Sequence, residues 1–235
     1  MIWRFSARAV AAFGLALALG CLVAGCSNST KPGDKKTESP LTLPRTSPEN
    51  VLYNLRVVYD TADVYVKTEA DTLTWKNKYQ ELFHPDTFAF YFVPGDQPPG
   101  WPNNSWGLID EVRSFKNMLR QEALGGTDDI ELNWVVNPAG PDTRVNPEAP
   151  DQLLHPTWRH IYVTAILLDV VQGNNTWRVA NGTADFYFAP DPADSTLWVI
   201  TEWQDHAPGF GSPPDARSAA APSTITWGAI KGLYH

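Results

Sequence analysis

The sequence predicts an α+β fold in which two to three N-terminal helices pack on an antiparallel sheet. Three observations carry this reading. Apolar side chains recur at helical spacing in three stretches between residues 47 and 119. Residues 130–205 hold long runs in which apolar and polar side chains alternate, the signature of strands. The only cysteines, Cys21 and Cys26, lie near the N-terminus, so an apolar core rather than disulfides must hold the domain.

Ser47-Pro48-Glu49 reads as a helix start, with a capping hydroxyl, proline at the first helical position and an acid in the first turn. Val51, Leu52, Leu55, Val58 and Tyr59 then share one face. A second helix is expected near 73–83, presenting Trp75, Tyr79, Leu82 and Phe83, and Pro85 stops it. In "LFHPDTFAFYF", Phe88, Phe90 and Phe92 alternate with Ala89 and Tyr91, which marks a strand, and Asp86 is expected to cap the corner before it. The loop "PGDQPPGWPN" ends that strand. Ser105 is expected to cap a third helix that turns Trp106, Ile109, Val112, Phe115 and Leu119 to one side. Asp110 and Glu111 early and Arg120 late suit its dipole, and Gly125-Gly126 closes it. Strands are expected at 130–136, 159–172, 177–188 and 197–205, with 137–155 a proline-rich excursion. After a Pro, Gly and Ala rich extension, "ITWGAIKGLYH" suits a short terminal helix docked by Ile225, Trp227, Ile230 and Leu233.

Two helices, a strand, a third helix and then long consecutive strands is the order of an α+β cone, with helices on one face of a strongly curved sheet. The stretches "ENVLYNLRVVYDTAD", "ELFHPDTFAFYF", "SWGLIDEVRSF" and "TADFYFAPDPADSTLWVITEWQDHA" resemble the NTF2-like superfamily, which includes SnoaL-like and ketosteroid-isomerase-like proteins. The resemblance spans residues 47–206 and implies a pocket between helices and sheet, used by some members for acid–base chemistry and by many for binding. Isomerases of this kind combine an aspartate base, a tyrosine and a protonated acid. Tyr59 suits the tyrosine, but no aspartate stands in the first strand where the base would lie. A dehydratase of the fold would need two inward histidines and an aspartate; His160 begins a strand, and no second histidine is evident in the sequence.

Asp185 and Glu202 each interrupt an apolar strand. Alternation puts Asp185 opposite Phe186 and Phe188, and puts Glu202 with Trp198 and Ile200. Either acid faces solvent or enters a pocket lined by Trp134, Tyr162, Tyr187 and Trp198; in a pocket, burial would raise its pKa. Asp185, Glu202, His160 and Tyr59 are therefore the acid–base candidates. Trp106, Trp134, Trp198 and Trp203 are expected in the core, and Trp101 at the surface. His84, His155, His160, His206 and His235 show no metal-ligand spacing, so no metal and no cofactor are expected.

Arg4 and Arg8 precede an apolar run of signal-peptide length, and Val23-Ala24-Gly25-Cys26 resembles a bacterial lipobox. That resemblance implies removal of residues 1–25 and acylation of Cys26. Ser27 in place of aspartate favours the outer membrane in a host that has one. Residues 26–46 are polar and proline-containing and read as a tether, 47–206 as the domain, and 207–235 as the C-terminal extension. Cleavage would leave 16 basic against 26 acidic residues, a charge of −10 that excludes nucleic acid as a partner. The expected protein is a lipid-anchored envelope lipoprotein whose domain binds a small apolar ligand or an envelope partner. The alternatives are an isomerase or dehydratase working in the cone, and a module that forms homodimers through its sheet.

Overall fold

The computed structural model describes residues 42–62, 66–120, 126–206 and 223–235. The expectations for segment 1–25, for Cys26, for the tether up to residue 41 and for residues 207–222 lie outside these. Helix α1 (Pro48–Asp60) starts as its sequence predicts: Ser47 Oγ accepts the Asn50 N–H at 3.3 Å, and Val51, Leu52, Leu55, Val58 and Tyr59 are buried. Helix α2 (Glu69–Gln80) begins earlier than its apolar spacing suggests, because Thr68 and Asp71 form a reciprocal capping box. Trp75 and Tyr79 carry its buried face.

Strands β1 (Ala89–Tyr91) and β2 (Ser105–Gly107) pair antiparallel, with Phe90 opposite Trp106. Ser105 thus lies in a strand and caps no helix. Helix α3 (Leu108–Met118) starts after Gly107, and Ile109 is 76% exposed, so the inward face is Glu111, Val112, Phe115 and Met118. At the corner before β1, His84 Nδ1 accepts the N–H groups of Asp86 and Thr87; His84, rather than Asp86, supplies the capping acceptor.

The remaining strands are β3 (Asp129–Val136), β4 (Gly140–Pro141), β5 (Val145–Asn146), β6 (Ala149–Leu153), β7 (Arg159–Gln172), β8 (Asn175–Pro190), β9 (Trp198–His206) and β10 (Ser223–Thr224). The main sheet runs β2-β1-β9-β8-β7-β3; β1 lies parallel to β9 and the other neighbours on this path are antiparallel. β5 and β6 form a separate ribbon inside the segment that the sequence marks only as an excursion. Two bulges bend the long β7–β8 hairpin, at Ala165 (φ 50°) and Asn181 (φ 56°). Gly182 follows the second bulge because a Cβ there would meet Val179 Cγ1 at 2.7 Å.

The result is the α+β cone, with helices packed on one face of a curved sheet. Ile161, Val163, Ala184, Phe186 and Trp203 point to the helices and are completely buried. Burying one such large side chain contributes about 1.5–3 kcal/mol, comparable to one disulfide at about 2–4 kcal/mol. Several such side chains together therefore outweigh one disulfide. Helix α4 (Trp227–Leu233) closes this interior. Trp227 and Ile230 dock as expected, but Leu233 is 56% exposed and Lys231, at 1%, takes the inward place.

Candidate functional site

Inside the cone the polar groups converge on Glu111 of α3. Its Oε1 accepts Lys231 Nζ at 2.6 Å and the Tyr79 hydroxyl, and its Oε2 accepts Trp106 Nε1 at 2.8 Å. The Tyr59 hydroxyl lies 3.3 Å from that of Tyr79. Lys231 Nζ also stands 3.4 Å from the ring centre of Trp203 and 3.9 Å from that of Phe90. Asp205, on the same strand face as Trp203, accepts the Gly228 N–H of α4 at 2.7 Å.

Burial pushes the Asp205 carboxyl up to about 7, against the pull of the Gly228 N–H and the Lys231 charge. Burial pushes Lys231 down to about 8, although Glu111 opposes it. Burial first, and the Glu111 charge second, raise the phenols of Tyr59 and Tyr79 far above their ordinary range, so both stay protonated donors.

The acids singled out by the sequence lie on the other face of the sheet. His160, Tyr162, Asp185, Tyr187, Glu202, Gln204 and His206 share that outer side by register. Asp185 can only accept, so His160 Nε2 donates to its Oδ1 at 2.5 Å and His206 Nε2 to its Oδ2 at 2.7 Å. Partial burial works to raise the Asp185 carboxyl, but hydrogen bonds and charge from the two imidazoles outweigh it and hold the group well below the carboxylate range. Its bond to Asp185 raises His206. The second histidine that the sequence does not reveal is therefore His206, yet the trio faces outward and does not form an inward dehydratase-like site.

Beside it the segment 137–158, which contains the expected excursion 137–155, folds over the sheet. Arg144 binds Asp142 at 2.8 Å and Glu202 at 2.7 Å, and lies 3.6 Å from the centre of the Tyr187 ring. Those bonds raise the guanidinium further against the opposing effect of burial. Glu202 is thus an ion-pair partner. His155 stacks on Trp158 at 3.6 Å and stays apart from the trio.

The expected pocket of Trp134, Tyr162, Tyr187 and Trp198 does not form. A bulge at Thr201 breaks the alternation of β9, placing Ile200 on the helix side opposite Phe188 and Glu202 on the outer side opposite Tyr187. Trp198 packs against the core from the strand start, whereas Tyr162 is 38% exposed on the outer face. Of the four acid–base candidates only Tyr59 faces into the cone. Trp106 and Trp203 are core, as expected, and Trp134 packs on Phe186 and Trp227. Trp101 is half-buried, donating to the Ser105 carbonyl at 3.0 Å and standing edge-on to Trp106.

One open groove of about 550 Å³ adjoins Trp134. It runs between α1 and the end of β3, lined by Glu49, Tyr53, Arg56, Trp134, Val136 and Pro138 among others. Among the described residues, no three His, Cys, Asp or Glu side chains are grouped to hold a metal ion. Nor is any described helix long and apolar enough to cross a membrane.

The sequence matches no protein-family model and no curated protein. Similar solved structures include the Kfla4162 protein of Kribbella flavida, 12% identical over 66% of this chain and 86% of that one, with a TM-score of 0.39. A scytalone dehydratase candidate from Novosphingobium aromaticivorans is 9% identical over 73% of this chain and 92% of its own, with a TM-score of 0.38. An NTF2-like protein with a cystatin-like fold, from the same species, is 9% identical over 71% and 93%, at 0.32. At these identities and TM-scores the chemistry of this chain rests on its own residues.

Proposed function

We propose that this chain is a lipid-anchored envelope protein whose domain binds a small, mainly apolar ligand in the groove between α1 and β3. The supporting observation is the contrast between two places. Inside the cone Tyr59, Tyr79, Trp106, Glu111 and Lys231 engage one another and are enclosed by α4, while the groove stays open and presents Tyr53, Trp134 and Val136. Its volume of about 550 Å³ lies in the range of small-molecule sites. Arg56 and Glu49 at the rim would orient a polar end of the ligand.

Titration with an apolar fluorescent probe such as anilinonaphthalene sulfonate tests the binding. Tyr53→Ala and Trp134→Ala are each expected to weaken it about tenfold, the loss of one aromatic contact worth about 1.4 kcal/mol. Undiminished binding in both variants overturns the groove reading. The anchor is tested separately: Cys26→Ser should abolish labelling by a fatty-acid analogue and move the protein out of the membrane fraction. Unchanged fractionation without labelling of the parent chain would remove the lipid from the proposal.

A further inference from the structure

The charged end of Lys231 occupies a place built like a receptor for an ammonium ion. Its Nζ is enclosed by the ring faces of Trp203 at 3.4 Å and Phe90 at 3.9 Å, with Trp227 at 5.7 Å. Opposite stands the Glu111 carboxylate at 2.6 Å, itself positioned by Tyr79 and Trp106. Aromatic faces and one desolvated carboxylate are the chemistry that recognises an alkylammonium, and the attraction grows when water is excluded. Phe90 of β1, Trp203 of β9 and Glu111 of α3 form the walls that stay in place, while Lys231 and the more distant Trp227 both come from α4, a helix of 7 residues.

Lys231 itself is a costly occupant. It is 1% exposed, its rotamers are frozen, and burial lowers its affinity for the proton it needs. A core built for packing alone would be served by methionine or leucine at this position.

We propose that the inside of the cone is an ammonium-binding site, occupied in the closed state by Lys231 of the chain itself, and that a free primary alkylammonium takes its place when α4 withdraws. The ligand class is an amine with a short unbranched alkyl chain, since the Lys231 stem that it would replace is itself unbranched and buried. This site is separate from the α1–β3 groove and does not depend on it.

The full chain tests the proposal in two arms. In Lys231→Ala, the lost atoms correspond to n-propylammonium. That ion should restore thermal stability in a saturable manner, by about 3–5 °C near ten times its dissociation constant, while n-propanol at equal concentration restores clearly less. The restoration should disappear in the double variant Lys231→Ala/Glu111→Gln. Equal effects of the ion and the alcohol, or no effect of either, overturn the proposal. The second arm uses the unaltered chain and needs no variant to fold. Hydrogen exchange at the α4 amides of Ala229 to Lys231 should accelerate in n-propylammonium relative to n-propanol in sodium chloride of matched ionic strength. Equal exchange in the two solutions overturns the displacement of α4, and with it the proposal.

Discussion

His206, at the end of β9, donates to Asp185 of β8 across a distance of 2.7 Å, and the same carboxylate also serves His160. The two kinds of group have opposite linkage to pH. His206 is raised, so its contribution is present below about 6.5 and is lost as pH rises through its folded value. Asp185 is lowered, so its contribution is present above about 3.8 and is lost as pH falls through its folded value. The trio should therefore stabilise most between about pH 4 and 6.5. These side chains are 20–40% exposed, so solvent screening limits the effect to about 1 kcal/mol. Urea unfolding of Asp185→Asn should show that loss at pH 5.5 and a smaller one at pH 8, with the His206 titration shifted downward in NMR spectra.

Asp205 predicts a slope opposite in sense to that of Asp185. Because burial raises it to about 7, the folded chain holds a proton that the unfolded chain releases near 3.8. Its contribution is complete below about 3.8 and declines as pH rises through 7. Asp205→Asn should flatten that part of the stability profile between pH 4 and 8. A profile identical in slope to the parent chain would show that Asp205 does not carry it.

Gly228 sits where a side chain has no room. A Cβ would meet Phe92 Cδ1 at 2.8 Å and both Phe90 Cε1 and Asp205 Oδ2 at 3.3 Å. Gly228→Ala should push α4 out of register at a cost of about 1–3 kcal/mol. Near-ultraviolet circular dichroism should record the change through the Trp203–Trp227 contact, whose ring centres are 4.4 Å apart.

Arg144 holds the excursion to the sheet. Arg144→Ala would leave Asp142, 1% exposed, without its cation, which costs about 3 kcal/mol. Limited proteolysis should then cut within residues 137–158. Arg144→Lys should restore only part of the protection, since an ammonium lacks the planar fork that spans both Asp142 and Glu202.

Much of the fold is legible in the sequence because it follows from local periodicity. The β7 strand spans residues 159–172, as expected, and the buried face of α1 is the one its spacing marks. Boundaries fail where a short-range contact competes, as when Ser105 pairs with Tyr91 in a hairpin instead of capping α3. The site is less legible. Alternation correctly opposes Asp185 to Phe186, but which side meets the helices is a tertiary fact, and the bulge at Thr201 separates Glu202 from Ile200, with which strict alternation groups it. Asp205 shares its strand face with Trp203, and Glu111 precedes Phe115 by one helical turn; both signals are present in the sequence. What no local pattern contains is the lysine from α4, more than a hundred residues from Glu111, that meets this acid in space.

Helix α4 also sets a schedule for making the protein. The cage around Glu111 is unfinished when β9 has been delivered, because Trp227, Ile230 and Lys231 come some twenty residues later. Until those residues arrive, Phe90, Trp203 and the Glu111 carboxylate have no cover, and an exposed aromatic chamber invites aggregation. The domain therefore completes its core only once residues 227–231 have joined the strands that precede them.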